Sequence, residues 1–284
     1  MRGARHLASI ATEAMPTDVL RPLDIPRLRR EFREAQPFPF MVVDEFLQPE
    51  FAREVAESYP SFESAKSRGR AFDFVNEKKK VQVTDRTKFP EPVQRLEAAI
   101  ASQSFRDALS EITGIPKLLA DEQLVGGGMH VMGSHGRLDV HVDFNLIEER
   151  QIHRRLNILV YLNPVWRDQW GGHIELWDRD VKRCHHAFLT AFNRCVVFET
   201  SERSFHGVSA VECPEDVARQ SFAAYYYTRE APPAWDGKTH STIFRARPDE
   251  LLRGFVLMPA EKLQRTVRAQ VQRAKRGVKR LLLR

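Results

Sequence analysis

Four side chains of this chain have the types and the spacing of a metal centre. His141 and Asp143 stand two residues apart in the segment HVD, and His206 follows 63 residues after Asp143 in FHG. Two imidazoles and one carboxylate can hold one face of an octahedral Fe(II) ion and leave the opposite face open. Arg219, in the segment RQS, adds a guanidinium whose forked donors suit a carboxylate. The pattern predicts a ferrous site beside an anion-binding arginine.

This spacing requires a β-strand that carries the first two ligands. Side chains two residues apart on a strand point to the same face, so His141 and Asp143 would project together while Val142 points away. His206 must then arrive from another strand of the same sheet. Because the middle ligand is a carboxylate rather than Gly or Ala, the site favours hydroxylation or a related oxidation over halogenation.

The same alternation predicts the surroundings of the anion. In RQSFAAYYYT, Arg219 and Ser221 share a face and can hold one carboxylate together. In RRLNILVYLN, Arg155, Asn157 and Tyr161 share a face. Tyr161 either donates its hydroxyl to that carboxylate or fills the core, and Asn157 can reach the metal end of the bound ligand. Together these residues predict a pocket for 2-oxoglutarate, and hence an iron- and 2-oxoglutarate-dependent oxygenase.

The predicted site falls in a strand-rich section of the chain. We predict a flexible arm for residues 1–22 and a mostly helical part with a few strands for residues 23–120. Residues 121–230 hold short strand-like segments at regular spacing, which predict a sandwich or jelly roll. Residues 231–284 predict a linker and a basic amphipathic helix.

The basic charge of the chain is confined to its C-terminal end. Nine Lys or Arg residues and no acid lie between Lys262 and Arg284, and removing these nine charges from the formal +6 leaves −3 on the rest. A mildly acidic body disfavours nucleic acid as its partner. The tail leaves two alternatives open: a helix packed on the body, or a helix that lies on an anionic membrane surface or on nucleic acid.

The lack of a recognisable membrane span or signal peptide, together with the cysteine pattern, predicts a cytoplasmic location. No apolar run approaches the roughly 18 residues of a membrane span, and the first residues lack a run of signal-peptide length. Three cysteines without a CxxC motif fit reduced thiols. We therefore expect a cytoplasmic protein, with a cleaved organellar peptide at the N-terminus as the alternative, and the sequence defines no oligomeric state.

Three segments together resemble the prolyl-4-hydroxylase-like superfamily of Fe(II)/2-oxoglutarate oxygenases. They are RRLNILVYLNPVWRDQWGGHIELWD, RCVVFETSERSFHG and RQSFAAYYYT, with the YLN…GG…LW signature of a bacterial branch. The resemblance covers roughly residues 38–230. It implies an α+β fold with a mainly β core: a double-stranded β-helix with N-terminal helices packed on one side. The positions that match the family's iron ligands and 2-oxoglutarate contacts are His141, Asp143, His206, Arg219 and Tyr161.

The resemblance also implies an activity and its cofactors. The family uses Fe(II), 2-oxoglutarate and O2, with ascorbate as an accessory reductant, and hydroxylates an unactivated C–H bond with release of succinate and CO2. A prolyl or other peptide side chain, a free amino acid and a glycan-linked acceptor all remain open as substrates. One rival function is a non-enzymatic cupin-like metal-binding sensor, which has no need for Arg219 with Tyr161. The other is a nucleic-acid-directed oxidative demethylase, which would carry a second arginine where this chain has Tyr225.

Two departures from the family pattern bear on the substrate. Val131 stands where prolyl hydroxylases often carry a tyrosine, so His130 is expected to complete the co-substrate pocket. The segment ECPED lengthens the gap before Arg219. Substrate loops are expected in residues 60–90 and 144–153. Basic residues in and beside these loops indicate either an acidic or phosphorylated substrate or an ordinary solvated surface: Arg68, Arg70, Lys78, Lys79, Lys80, Arg150, His153 and Arg154.

Overall fold

Thirteen antiparallel strands and five α-helices make up the part of the computed structural model that is described, residues 15–250 and 252–258. The helices are α1 Ile25–Glu34, α2 Pro49–Ser58, α3 Phe62–Arg68, α4 Glu91–Ala101 and α5 Gln103–Thr113. The first seven strands are β1 Phe40–Val43, β2 Arg70–Phe72, β3 Glu77–Val83, β4 Leu119–Ala120, β5 Gly128–Val142, β6 Leu146–Ile147 and β7 Ile152–Tyr161. The others are β8 Ile174–Trp177, β9 Cys184–Phe188, β10 Cys195–Glu199, β11 His206–Val208, β12 Arg219–Thr228 and β13 Ile243–Arg245.

The helices begin and end at residues that suit those positions. The side chain of Asp24 accepts from the first turn of α1, and that of Ser102 accepts from the first turn of α5. Pro49 opens α2, where its missing N–H is not needed. Gly114 ends α5 at φ 75°, a conformation that glycine adopts without strain.

One continuous sheet folds over to enclose the site, because β5 exchanges partners along its length. Its first half pairs with β12, and its second half pairs with β11 and β13. Between the halves, His135 has a φ of 60°, next to Gly136. The sheet order is β1-β10-β7-β12-β5-β11-β8-β9. The bend brings β11 and β8 over the interior face of β7 and β12.

Strand β7 shows how the two faces of the sheet are used. Leu156, Ile158 and Val160 pack in the core shared with the helices. Leu159 and Tyr161 pack on the other face, with Leu176 of β8 among their neighbours. The alternation follows from the two-residue period of a strand. The predicted α+β class, with a jelly-roll core and helices on one side, is confirmed.

The ends of the described chain differ from the predicted outline. Val19 and Leu20, predicted to belong to a flexible arm, are buried, and Leu20 forms a β-bridge with Leu47. The predicted basic helix, within residues 262–284, lies outside the described residues. No helix among the described residues has both the length and the apolar character needed to cross a bilayer.

Candidate metal centre

The three predicted metal ligands converge at the point where β5 and β11 pair. His206 opens β11 directly opposite His141 of β5, and their ring centroids lie 4.3 Å apart. Asp143 follows the last residue of β5, with Oδ1 at 3.7 Å from Nε2 of His141 and Oδ2 at 3.8 Å from Nε2 of His206. One ligand atom from each residue lies within 4.8 Å of the others. A single ion can therefore reach all three.

Backbone carbonyls set the tautomer of both imidazoles. Nδ1 of His141 lies 2.9 Å from the carbonyl oxygen of Asp139, and Nδ1 of His206 lies 2.9 Å from that of Ser204. A carbonyl oxygen only accepts, so each Nδ1 must carry the hydrogen and donate it. Each Nε2 then keeps its lone pair toward the common point, as a metal ligand requires.

Burial and charge keep the three ligands in their metal-binding forms. Desolvation lowers the pKa of His206 to about 4 and also lowers the pKa of His141. Burial alone would raise the pKa of Asp143, but Arg154 and the two histidines lower it to about 2. At neutral pH the site therefore presents two neutral imidazoles and one carboxylate. These are the forms that bind a divalent cation.

Arg154 is a residue of the site that sequence reasoning had assigned to a substrate loop. Its Nη1 lies 3.2 Å from Oδ2 of Asp143, and its guanidinium is sandwiched between the rings of Phe144 and Tyr225 at 3.8 and 3.7 Å. The side chain is 1% exposed. Although the ion pair is close, Oδ2 accepts no well-aligned hydrogen bond from the described residues. That buried, unpartnered oxygen fits a carboxylate that ligates a metal ion.

A β-bulge explains why Arg154 rather than Arg155 lines the site. Strict alternation predicted that Arg155 would share the inner face with Asn157. In the β7–β12 pairing, Leu156 faces Tyr226 but Arg154 faces Tyr227, so Arg155 is an extra residue on β7. The prediction for Arg155 is therefore wrong, because the bulge moves the preceding side chain to the inner face.

Arg219 is a buried guanidinium without a counter-ion among the described residues. Its Nε donates to the carbonyl of Gly172 at 2.7 Å, and its Nη1 donates to Ser221 Oγ at 3.4 Å. No carboxylate oxygen of the described chain lies within 4 Å of it, and burial lowers its pKa. A desolvated cation is costly unless an anion pairs with it. Its surroundings therefore suit the carboxylate of a bound ligand.

Most predicted site residues line one cavity of about 230 Å³. They are His141, Asp143, His206, Arg219, Ser221 and Asn157. Oδ1 of Asn157 is buried and has no hydrogen-bond partner in the described part of the chain, so it is free for a ligand. Tyr161 does not line the cavity. It lies behind Arg219, whose guanidinium is 5.1 Å from the centroid of the tyrosine ring. The tyrosine hydroxyl is buried beside that guanidinium, and burial raises the pKa of Tyr161 to about 12.

The remaining polar wall comes from β3 and the start of β5. His130 lies in the wall, as expected, with Nε2 at 3.1 Å from the carbonyl of Gly126, and burial lowers its pKa well below the usual range. Lys80 also faces the cavity and pairs with Glu77 at 3.2 Å. The wall holds three cations of Lys and Arg type and two carboxylates, so it favours an anionic ligand.

A segment that the sequence indicated as a linker closes over the metal ligands. Strand β13 pairs with β5 so that Phe244 faces His141, with ring centroids 5.3 Å apart. Further along, Arg253 places Nη2 at 2.8 Å from Oδ2 of Asp139, and Arg137 places its Nη2 at 2.7 Å from Oδ1. The carbonyl of the same Asp139 holds the ring of His141. Arg253 of the C-terminal segment thus supports the metal ligand His141 through Asp139.

Comparison with known proteins bears on the strand-rich core. Residues 127–227 match the 2OG-Fe(II) oxygenase superfamily model. Prolyl 3-hydroxylase OGFOD1 of Mus musculus is 35% identical over 78 residues, which are 26% of this chain. The chain spans only 14% of the length of that curated relative. The residues matched by the superfamily model include all three predicted iron ligands and Arg219.

Two solved structures share the fold. One is a prolyl hydroxylase from Trichoplax adhaerens, in complex with a hypoxia inducible factor oxygen degradation domain peptide fragment. It is 16% identical, with a TM-score of 0.50 over 71% of this chain and 89% of that one. The other, a Pseudomonas putida prolyl-4-hydroxylase, is 15% identical, with a TM-score of 0.50 over 72% of this chain and 100% of that one. The resemblance to prolyl-4-hydroxylase-like oxygenases is confirmed.

Proposed function

We propose that this chain is an Fe(II)- and 2-oxoglutarate-dependent dioxygenase that hydroxylates an unactivated C–H bond. The observation that carries the proposal is one cavity that joins the three converging ligand atoms to the unpaired guanidinium of Arg219. When bound, iron and 2-oxoglutarate supply the oxidising chemistry with O2, with succinate and CO2 as co-products and ascorbate as an accessory reductant.

The residues of the metal face hold the ion in one orientation. His141, Asp143 and His206 would hold the ion and leave its remaining positions to ligands bound in the cavity. The carbonyls of Asp139 and Ser204 prevent the two imidazoles from rotating. Arg154 keeps the carboxylate of Asp143 ionised and restrains its movement.

The residues at the other end of the cavity hold the co-substrate. Arg219 would pair with its distal carboxylate, Ser221 would add a hydroxyl, and Asn157 would offer its amide nearer the metal. Between these groups, Leu159 and Ile174 form an apolar wall that limits access of water. A non-enzymatic metal sensor would bury the guanidinium of Arg219 without a purpose, so we place that alternative second.

The substrate remains to be identified within this proposal. Both structural relatives described above are prolyl hydroxylases, and one is bound to a peptide, so a prolyl side chain in a peptide is the first acceptor to test. A free amino acid and a glycan-linked acceptor follow.

The three cysteines are free thiols, which supports a cytoplasmic location.

Succinate release under air with Fe(II) and 2-oxoglutarate tests the proposal, with peptides from cell extract supplied as acceptors. We expect succinate from the wild type, a product heavier by the mass of one oxygen atom, and no turnover from Asp143→Ala. Asp168→Ala is the matched control, because Asp168 is an exposed carboxylate whose partner is His173. Equal succinate from Asp143→Ala and the wild type would contradict the proposed metal centre.

A further inference from the structure

A second and larger cleft opens beside the metal cavity. Its volume is about 670 Å³, compared with about 230 Å³ for the metal cavity. Arg154 lines both spaces, and it pairs with Asp143 at 3.2 Å. Phe38 lines the cleft and packs on Phe198, whose ring centroid lies 4.6 Å from that of His206. Arg154 and the Phe38–Phe198 pair therefore lie between the cleft and the metal ligands.

Unpaired cations surround this cleft. Arg33, Arg179 and Arg203 line it, each of them exposed, and no carboxylate oxygen of the described chain lies within 4 Å of their guanidinium groups. The acids in the lining are Glu199 and Glu202, so the three unpaired arginines exceed them by one positive charge; the fourth arginine, Arg154, is paired with Asp143. The positive charge is specific to this cleft and does not reflect a basic surface in general, because the chain without its basic tail has a net negative charge.

Two buried polar atoms in the same lining have no hydrogen-bond partner among residues 15–250 and 252–258. They are Nδ1 of His153 and Oγ1 of Thr200, in residues that are 7% and 8% exposed. A buried polar atom without a hydrogen bond costs free energy, so both atoms are suited to a ligand that can supply the missing bond. Trp235 stands edge-on to His153, with ring centroids 4.6 Å apart, and adds an apolar surface.

We propose that this cleft binds an acidic stretch of a polypeptide substrate, whose reacting residue passes Arg154 into the metal cavity. The inference rests on the proposed function and adds the chemical class of the substrate. Arginine clusters recognise carboxylates and phosphates through forked hydrogen bonds, and a peptide backbone supplies donors and acceptors for the two unpartnered atoms. Because Arg154 lines both spaces, a polypeptide bound in the cleft lies one side chain away from the metal cavity.

These arginines differ from those indicated by the sequence. Among the basic residues of the expected substrate loops, Arg150 pairs with Asp121 at 3.0 Å, and Lys80 faces the metal cavity with Glu77 as its partner. His153 and Arg154 do line the cleft, but its free charges come from α1 and from the loops after β8 and β10.

Fluorescence anisotropy with labelled twelve-residue peptides tests the proposal on the full chain, in the presence of Mn(II) and 2-oxoglutarate. The peptides share a central proline and differ at four flanking positions, which carry Glu, phosphoserine, Gln or Lys. We expect the Glu or phosphoserine peptide to bind at least about tenfold tighter than the Gln peptide, because each forked contact contributes on the order of a factor of ten. Comparison of the two acidic peptides distinguishes carboxylate from phosphate recognition. Equal binding of the Glu, phosphoserine and Gln peptides would overturn the proposal.

Variants locate the binding within the chain. The double variant Arg179→Gln/Arg203→Gln should lose about tenfold or more in affinity for the acidic peptide. Thr200→Val, which removes one unpartnered hydroxyl, should weaken acidic and neutral peptides alike. The matched control is Arg268→Gln/Arg276→Gln, which removes the same charge from the basic tail. If the control loses the affinity and the cleft variant keeps it, the tail binds the peptide and the proposal is wrong.

The two proposals fail in different ways. Peptide binding with Mn(II) requires no turnover, whereas succinate release requires no acidic peptide. Charge-selective binding without succinate release would contradict the oxygenase and leave the cleft in place. Succinate release with peptide binding that ignores charge would contradict the cleft alone.

Discussion

The chemistry of the candidate centre depends on which atoms of each side chain are already engaged. The Nδ1 atoms of His141 and His206 donate to carbonyls, so only their Nε2 atoms are available to a metal ion. The guanidinium of Arg219 differs from the imidazoles, because its charge has no partner among the described residues and is available to an anionic ligand. Single substitutions at these positions should therefore have separable effects on metal and co-substrate binding.

Arg219→Gln should weaken 2-oxoglutarate binding while leaving metal binding intact. Losing a buried, charged hydrogen-bond partner costs about 2–4 kcal/mol, which corresponds to a dissociation constant roughly 30- to 1,000-fold higher. Titration of 2-oxoglutarate into the Mn(II)-loaded protein measures this change. Arg229→Gln is the control, because Arg229 is exposed just beyond the end of the same strand. An unchanged dissociation constant in Arg219→Gln would place the co-substrate elsewhere.

The stability of the metal-free protein should fall as pH decreases from 6.5 towards 4. Burial lowers the pKa of His206 from 6.5 to about 4, so in this window the unfolded chain binds a proton that the folded chain does not. Protons then favour unfolding, by up to about 3 kcal/mol for a group so deeply buried. Thermal melts between pH 7.5 and 4.5 measure the slope, which His206→Gln should reduce. Equal slopes for the two proteins would argue against this assignment.

At the scale of elements, alternation along strands accounts for most of what could be predicted. The inner faces of β12 and of β7 from Asn157 onward follow a period of two, so Arg219, Ser221 and Asn157 could be predicted from spacing alone. Arg154 could not, because nothing in RRLN distinguishes a strand with a bulge from a regular one. The contacts of Phe244 with His141 could not be predicted either, because they join segments about a hundred residues apart.

The C-terminal segment should affect metal affinity although none of its residues ligates the ion. Arg253 donates to Asp139 and to the carbonyl of Val75, and Asp139 in turn holds His141. Arg253→Gln should raise the metal dissociation constant up to about tenfold, the low end of the effect of groups that orient metal ligands. Isothermal titration with Mn(II) measures the change, with Arg229→Gln as the control. Metal affinity equal to that of the wild type would restrict Arg253 to a structural role.

At the scale of the whole molecule, the helices and the jelly roll share one core. Leu96 of α4 packs in the same buried cluster as Ile158 of β7 and Phe222 of β12. The predicted sections 23–120 and 121–230 therefore form one cooperative unit in our proposal. The predicted basic tail, 262–284, lies outside the described residues, and both alternatives for it remain predictions.

Leu96→Ala tests this cooperativity. Truncation of a fully buried leucine costs about 2–5 kcal/mol, so the unfolding temperature should fall by about 4–20 °C. Circular dichroism, which follows the helices, and tryptophan fluorescence, which follows the strand-rich part, should report the same single transition. Val165→Ala, at a side chain that is 66% exposed, is the matched control and should shift the transition little. Two separate transitions would mean that the sections fold independently.

A crystal structure with Mn(II) and 2-oxoglutarate bound, with the metal located by its anomalous scattering, tests the central claim most directly. The account predicts one peak within bonding distance of Nε2 of His141, a carboxylate oxygen of Asp143 and Nε2 of His206. It also predicts the distal carboxylate of 2-oxoglutarate on the guanidinium of Arg219. A peak that misses any of the three ligands, or a co-substrate that leaves Arg219 without a partner, would contradict it.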